Sequence, residues 1–346
     1  MTVASDIAAC RDLLRGGSRT FFAASLLLPR SVSDPAIALY AFCRLADDAV
    51  DLEGGRLDAV ERLKDRLARA YLGQPLASPA DRAFADVVGR FTIPRALPEA
   101  LLEGLAWDAQ GRRYARLDDL LDYCVRVAGT VGAMMSLLMR RRDPVVVARA
   151  CDLGIAMQLT NIARDVGEDA RAGRLYLPTR WMEEAGLDPD AWLASPHFDG
   201  RIGAIVGRLL AVADTFYRRS IPGIGALPLS CRPGIHAARL IYAEIGREIE
   251  RRDLDSVSRR AVVPASRKMR LMADAFVRSS GAHGSIGDHV EPAARSLLEA
   301  VGALSPPVTA VSKPRSRSTV ESVVWVLDLF ERLERRDQLL RGGNAS

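Results

Sequence analysis

The sequence predicts an all-α protein, and three observations carry that expectation. Apolar residues recur at helical spacing along nearly all of the 346 residues. No run of period-two alternation is bounded by turn residues. Clusters of Pro, Gly, Asp and Ser interrupt the pattern at "LLLPRSVSDPA", "LGQPLASPAD", "FTIPRALPEA", "RRDPVV", "AGLDPDAWLASPHFDG", "IPGIGALPLSCRPG" and "AVVPAS", leaving segments long enough for helices of about three to six turns.

Three regions are expected. Residues 1–280 form the helical body. Residues 281–319 read as a polar linker, from the Gly-rich "SSGAHGSIGDHVEP" to the Pro/Ser/Arg-rich "LSPPVTAVSKPRSRST". Residues 320–346 hold a last amphipathic helix, with Val323, Val326, Leu327, Phe330 and Leu333 on one stripe, and a tail. That helix can dock on the protein's own core or a neighbouring subunit, or lie on an anionic membrane surface.

Composition bounds the function. With 49% hydrophobic and 26% charged residues the chain is of the soluble globular kind. No apolar run nears the ~18 residues that cross a bilayer. The opening "MTVASDIAACRDLL" carries its Asp and Arg in the wrong layout for a secretory leader, so a cytoplasmic location is expected. Cys10, Cys43, Cys124, Cys151 and Cys231 are scattered, with no CxxC pair, which fits a reducing compartment. The four histidines stand at no ligand spacing, so no His-based metal or nucleophile site is expected. Net charge is +5 with a pI near 9.1, and arginine greatly outnumbers lysine. Arginine's planar fork suits phosphate. The arginines form no basic run interleaved with aromatics, so nucleic acid is not the expected partner.

The chemistry-bearing pattern lies in two helical segments. In "YAFCRLADDAVDL", Tyr40, Arg44, Asp47 and Asp51 fall within about 60° of one another on a helix, a polar stripe in an apolar segment. Asp48 stands at its edge. In "QLTNIARDVGED", Gln158, Asn161, Asp165 and Asp169 make a second stripe, with Arg164, Arg171 and Arg174 nearby. A third Asp-x-x-x-Asp pair, Asp118 and Asp122, is a control: flanked by leucines and near a helix start, it reads as capping and exposed carboxylates. What sets the first two pairs apart is their company of Arg, Asn and Gln. Carboxylates that share a divalent cation with a diphosphate, ringed by arginines, account for the repulsion such pairs otherwise cost.

These segments resemble the squalene and phytoene synthases, trans-type isoprenoid enzymes that join two prenyl diphosphates head to head. The resemblance runs from about Ser18 to Met269, through "GSRTFFAASLLLP", "YAFCRLADDAVD", "YCVRVAGTVGAMM" and "QLTNIARDVGEDARAGRLYLP". Its "RDVGEDARAGRLYLP" wording is more similar to the bacterial phytoene-synthase branch than to squalene synthase. It implies an isoprenoid-synthase helical bundle with a central active-site cavity between the two aspartate helices. It also implies Mg²⁺, with Mn²⁺ as the alternative, on Asp47, Asp48, Asp51, Asp165 and Asp169, Glu168 being a further acidic position. Substrate diphosphate would meet Ser18, Arg19, Arg44, Gln158, Asn161, Arg164 and Arg267. Tyr40, Tyr123 and Tyr242, with Arg44, would act at the reacting centre, where hydroxyls orient the departing diphosphate and ring faces stabilise cations.

The implied reaction joins two geranylgeranyl diphosphates through a cyclopropyl diphosphate, prephytoene diphosphate, to phytoene, without NADPH. Squalene-type enzymes quench the last cation with hydride, and no GxGxxG follows a strand here. The alternatives are a squalene or dehydrosqualene synthase on farnesyl diphosphate, a chain elongase or cyclase of the DDxxD kind, and a non-catalytic helical scaffold. Downstream carotenoid enzymes would be partners. "VAGTVGAMMSLLM" is expected to line the tail tunnel, with Gly129, Gly132 and Ala133 leaving room and Met134, Met135 and Met139 as adaptable wall.

Overall fold

The computed structural model of the chain describes residues 3–17, 25–52, 57–281 and 284–303. Among these residues there is no strand. Fourteen α-helices follow in order: α1 (Val3–Gly17), α2 (Arg30–Leu52), α3 (Leu57–Tyr71), α4 (Pro79–Phe91), α5 (Ala96–Ala109), α6 (Leu117–Cys124), α7 (Thr130–Leu138), α8 (Pro144–Arg171), α9 (Thr179–Glu184), α10 (Pro189–Ala194), α11 (Gly200–Gly225), α12 (Arg232–Glu250), α13 (Ala265–Ser279) and α14 (Arg295–Gly302). A π-helical stretch, Val125–Gly129, joins α6 directly to α7.

The turn clusters start and stop these helices by simple chemistry. Asp143 accepts from the N–H groups of Val145 and Val146, with Pro144 at the first helical position of α8. The same Asp-Pro device opens α10, where Asp188 accepts from the Ala191 N–H. In α4, Ser78 caps Asp81 N–H ahead of Pro79.

Helix α8 is the axis of the bundle. Val147, Cys151, Ile155, Ala156, Leu159 and Ala163 are fully buried, so most of its circumference faces protein. It packs against α7 and α11. Two glycines allow its close approach to the π–α7 stretch: a Cβ at Gly154 would stand 2.2 Å from the Ala128 carbonyl oxygen, and one at Gly132 the same distance from that of Ala150. On the other side, Phe42 of α2 stacks on Phe84 of α4 with ring centroids 3.9 Å apart. Asp6 of α1 receives two bonds from Arg82 of α4, at 2.6 and 3.0 Å.

Two stretches, Leu117–Leu138 and Pro144–Arg171, are long and apolar enough to cross a membrane by length and composition, but 67% and 72% of those windows are buried inside the fold. They are core helices of this bundle.

The linker expectation for residues 281–319 needs correction. Within it, Arg295–Gly302 is a helix, and Ala294, Leu297, Leu298 and Val301 are buried in the main core. "ARSLLEAVG" carries its own apolar stripe, which outweighs the polar composition of its flanks. The amphipathic helix expected within residues 320–346 lies outside the described residues.

Candidate active site

A cavity of about 1020 Å³ runs between α2, the α6–α7 stretch, α8, α11 and α12. That is the upper end of the range for small-molecule sites. Its two ends differ. One is polar and reaches the surface, where Glu168 and Arg260 are exposed. The other is closed by buried Met139, Val146, Ile224 and Leu227.

Helix α8 supplies the polar end because its second stripe faces the cavity: Gln158, Asn161, Arg164, Asp165, Glu168 and Asp169 all line it. Asn161 Nδ2 lies 3.4 Å from Gln158 Oε1. Asp165 is gripped from two sides. Arg164 donates to its carboxylate at 2.7 and 2.5 Å, and Arg260, from the turn before α13, at 2.7 and 3.3 Å. Burial pushes Asp165 upward, but these bonds outweigh it and leave the carboxyl below its ordinary value. Asp169, one turn on, is pushed up to about 7 by burial and then by the charge of Asp165, with Asp108 and Glu168 adding and Arg174 opposing. Such a set of hard oxygen donors suits a divalent cation that also takes water and phosphate oxygens. Among the described residues, no three Asp, Glu, His or Cys side chains converge closely enough to hold a metal alone.

Asp47, Asp48 and Asp51 fall on the last turns of α2, and their side chains lie outside the described residues, as do Ser18 and Arg19. Tyr40 and Arg44, on the same helix, line the cavity. Tyr242 reaches it from α12 and Tyr123 from α6. Arg267 and Arg171 are absent from the lining. Arg267 instead donates to the buried Glu244 at 2.9 Å, an anchor between α13 and α12, and Arg171 donates to the Val257 carbonyl. The control pair behaves as a surface feature: Asp118 is exposed, neither Asp118 nor Asp122 lines the cavity, and the neighbouring Asp119 accepts from the Arg116 N–H at the start of α6.

The expected tunnel wall is half right. Gly132, Met135 and Met139 line the cavity, whereas Gly129, Ala133 and Met134 are buried elsewhere in the core. A helix shows one face to a cavity, so alternate members of the segment turn away.

Four polar lining residues at the open end, Asp108, Arg174, Tyr176 and Arg260, were not among the expected site residues. Asp108, at the end of α5, accepts from Tyr123 Oη at 2.8 Å and from Tyr176 Oη at 2.7 Å. Burial, then the Asp108 charge, raises both phenols, Tyr123 well above the ordinary value, so they stay protonated donors. Arg174 and Arg260 complete the ring. Tyr176 lies in "RLYLP", where the resemblance itself could have pointed to it; Asp108 in "AWDAQG" carries no motif.

An all-helical bundle that gathers carboxylates, arginines and tyrosine hydroxyls at one end of a long apolar cavity defines an isoprenoid-synthase type of enzyme. Comparison with known proteins narrows this. The family described as Squalene/phytoene synthase matches residues 14–267. A phytoene synthase of Cereibacter sphaeroides is 51% identical, with 100% of this chain and 99% of the relative covered. One of Rhodobacter capsulatus is 55% identical over 81% of this chain and 84% of the relative. Among solved structures, a dehydrosqualene synthase in complex with ligand superposes with a TM-score of 0.73 at 30% identity, covering 80% of this chain and 96% of that one. The chain belongs to the squalene/phytoene synthase family, and it is a prenyltransferase of the isoprenoid-synthase fold. The family acts on prenyl diphosphates.

Proposed function

We propose that this chain condenses two geranylgeranyl diphosphates head to head, through prephytoene diphosphate, to phytoene. The observation that carries the reading is the polarity of one cavity: Asp165, Asp169, Arg164, Arg174 and Arg260 at one end, and at the other buried Met139, Val146, Ile224 and Leu227 beside Arg149. The relatives support this product over squalene, since those named phytoene synthase are 51% and 55% identical and the dehydrosqualene synthase structure is 30% identical.

The residues divide the work. Arg44, Arg164, Arg174 and Arg260 receive diphosphate charge, with Gln158 and Asn161 as neutral partners. Tyr123 and Tyr176, fixed by Asp108, hold protonated hydroxyls at the polar end, and the faces of Tyr40 and Tyr242 border the carbocation's path. Asp165, Glu168 and Asp169, with Asp47, Asp48 and Asp51 of α2, would hold the divalent ion, Mg²⁺ in preference to Mn²⁺. When bound, that ion supplies the positive charge that stabilises a departing diphosphate. Buried walls keep water from the cation. No NADPH enters the proposal. A cytoplasmic protein touching the membrane surface through residues 320–346 completes it, an arrangement that would pass an apolar product to lipid and onward carotenoid enzymes.

The test is purified protein with Mg²⁺ and geranylgeranyl or farnesyl diphosphate, with and without NADPH, followed by product mass. Phytoene from the longer substrate without NADPH is expected. Squalene only with NADPH, and no product from geranylgeranyl diphosphate, overturns the reading.

A further inference from the structure

Far from the polar end, a second group of charges is buried against the cavity wall. Arg149, 3% exposed, borders the cavity, and its Nε lies 3.1 Å from Oδ2 of Asp152, itself 1% exposed. Arg219 of α11 donates to the other Asp152 oxygen at 3.1 Å and stands 3.9 Å from Glu291. Arg149 Nη2 donates to the His289 carbonyl. The cluster therefore ties α8 and α11 to the segment that leads into α14, a segment beyond the residues matched by the family. Gly223 of α11 makes room for it, since a Cβ there would come within 2.2 Å of Arg149 Cβ.

Its position along α8 has a length. Arg149 and Asp165 are 16 residues apart on one helix, about 24 Å at 1.5 Å per residue. An extended carbon chain advances about 1.25 Å per bond given tetrahedral angles, so the 16 main-chain carbons of a 20-carbon prenyl tail span about 20 Å. Beyond a diphosphate beside Asp165, that tail ends at the level of Arg149. A 15-carbon tail stops about 5 Å short, and a 25-carbon tail overruns by as much.

We propose that the Arg149–Asp152–Arg219–Glu291 cluster, locked by the segment leading into α14, braces the far end of the tail cavity, where Met139, Val146, Ile224 and Leu227 close it, and so holds the enzyme to 20-carbon substrates. It rests on the phytoene reading above. Apolar side chains alone yield by changing rotamers; braced by a buried ion cluster, they yield only if charge is exposed to hydrocarbon, which is far costlier. The four residues are positioning residues: they touch no reacting atom, and they set where the wall stands.

The experiment is a competition among farnesyl, geranylgeranyl and geranylfarnesyl diphosphates, 15, 20 and 25 carbons, read as relative kcat/KM from product masses. The double variant Arg149→Met/Asp152→Leu removes both charges at once, and Arg219, which loses Asp152, keeps Glu291 beside it. It is expected to raise the 25- to 20-carbon ratio at least tenfold. Glu291→Gln, at the rim of the core, is expected to raise it two- to threefold, and it decides the matter if the double variant does not fold. A folded variant with an unchanged ratio overturns the length stop, because a purely structural cluster would lower all three substrates together. If the unaltered enzyme itself prefers farnesyl diphosphate, the functional reading fails instead, whatever the variants do.

Discussion

At the open end of the cavity and at its far end, carboxylates and arginines meet in similar numbers, yet the carboxylates answer differently. Asp169 at the open end is pushed up to about 7 by burial and by like charges on Asp165, Asp108 and Glu168. Asp152 at the far end is pushed up to about 6 by burial, while Arg219 and Arg149 pull it down and Glu291 adds a smaller push upward. Like charges thus crowd Asp169 at the open end, whereas arginines are the nearest charges to Asp152 at the far end. On the proposed reading, one receives a charged ligand with its counterions and the other stays shut.

The largest effect should come from breaking the open end. Asp165→Asn is expected to lower kcat/KM at least 1,000-fold, about 4 kcal/mol of transition-state stabilisation, measured by product formation from labelled geranylgeranyl diphosphate. Removal of divalent ions by EDTA should abolish turnover, and added Mg²⁺ should restore it. The same substitution at the far end, Asp152→Asn, should act on stability: it leaves Arg149 buried without its ionised partner, at a cost of about 3 kcal/mol in urea unfolding followed by circular dichroism. Equal losses of turnover and stability in both variants would erase the contrast. Tyr176→Phe, which removes one donor to Asp108, should lower kcat about tenfold with little change in KM, by steady-state kinetics.

A third acid–arginine pair, Asp6 with Arg82, is the reference, remote from the cavity. The bonds from Arg82 hold Asp6 below its ordinary value despite burial. Its folded value lies below its unfolded one, so its stabilisation is present above about pH 4 and fades as pH falls through the folded value. The Tm difference between the unaltered protein and Asp6→Asn should accordingly shrink on acidification, checked by thermal melts from pH 6 downward.

How much of this was readable beforehand depends on the range of each interaction. The stripe from Gln158 to Asp169 lies on one helix, so its spacing, together with its company of Gln, Asn and Arg, placed it, and the structure turns all four of its named residues into the cavity. Tyr40 and Arg44 follow by the same rule. Asp108 was illegible because its meaning depends on two phenols from other elements, 15 and 68 residues away. Arg260, 95 residues from Asp165, is hidden for the same reason. Arg267 misled because an arginine near the end of the resemblance has several acids to choose from, and Glu244, itself buried, claims it. Composition misjudged residues 292–302: a short apolar stripe is lost in the average of a polar window.

The π-helical stretch Val125–Gly129 has a consequence for how this wall could change over time. Around an unbroken α-helix, Tyr123 and Met135 would stand about 120° apart, on different faces. The wide turn absorbs roughly one extra residue, about 100°, and both side chains reach the cavity. The stretch is a phase adjuster between the chemical end of the wall and its hydrocarbon end. Substitutions can retune either end separately; a one-residue deletion between them would keep the helix and scramble which residues the substrate meets.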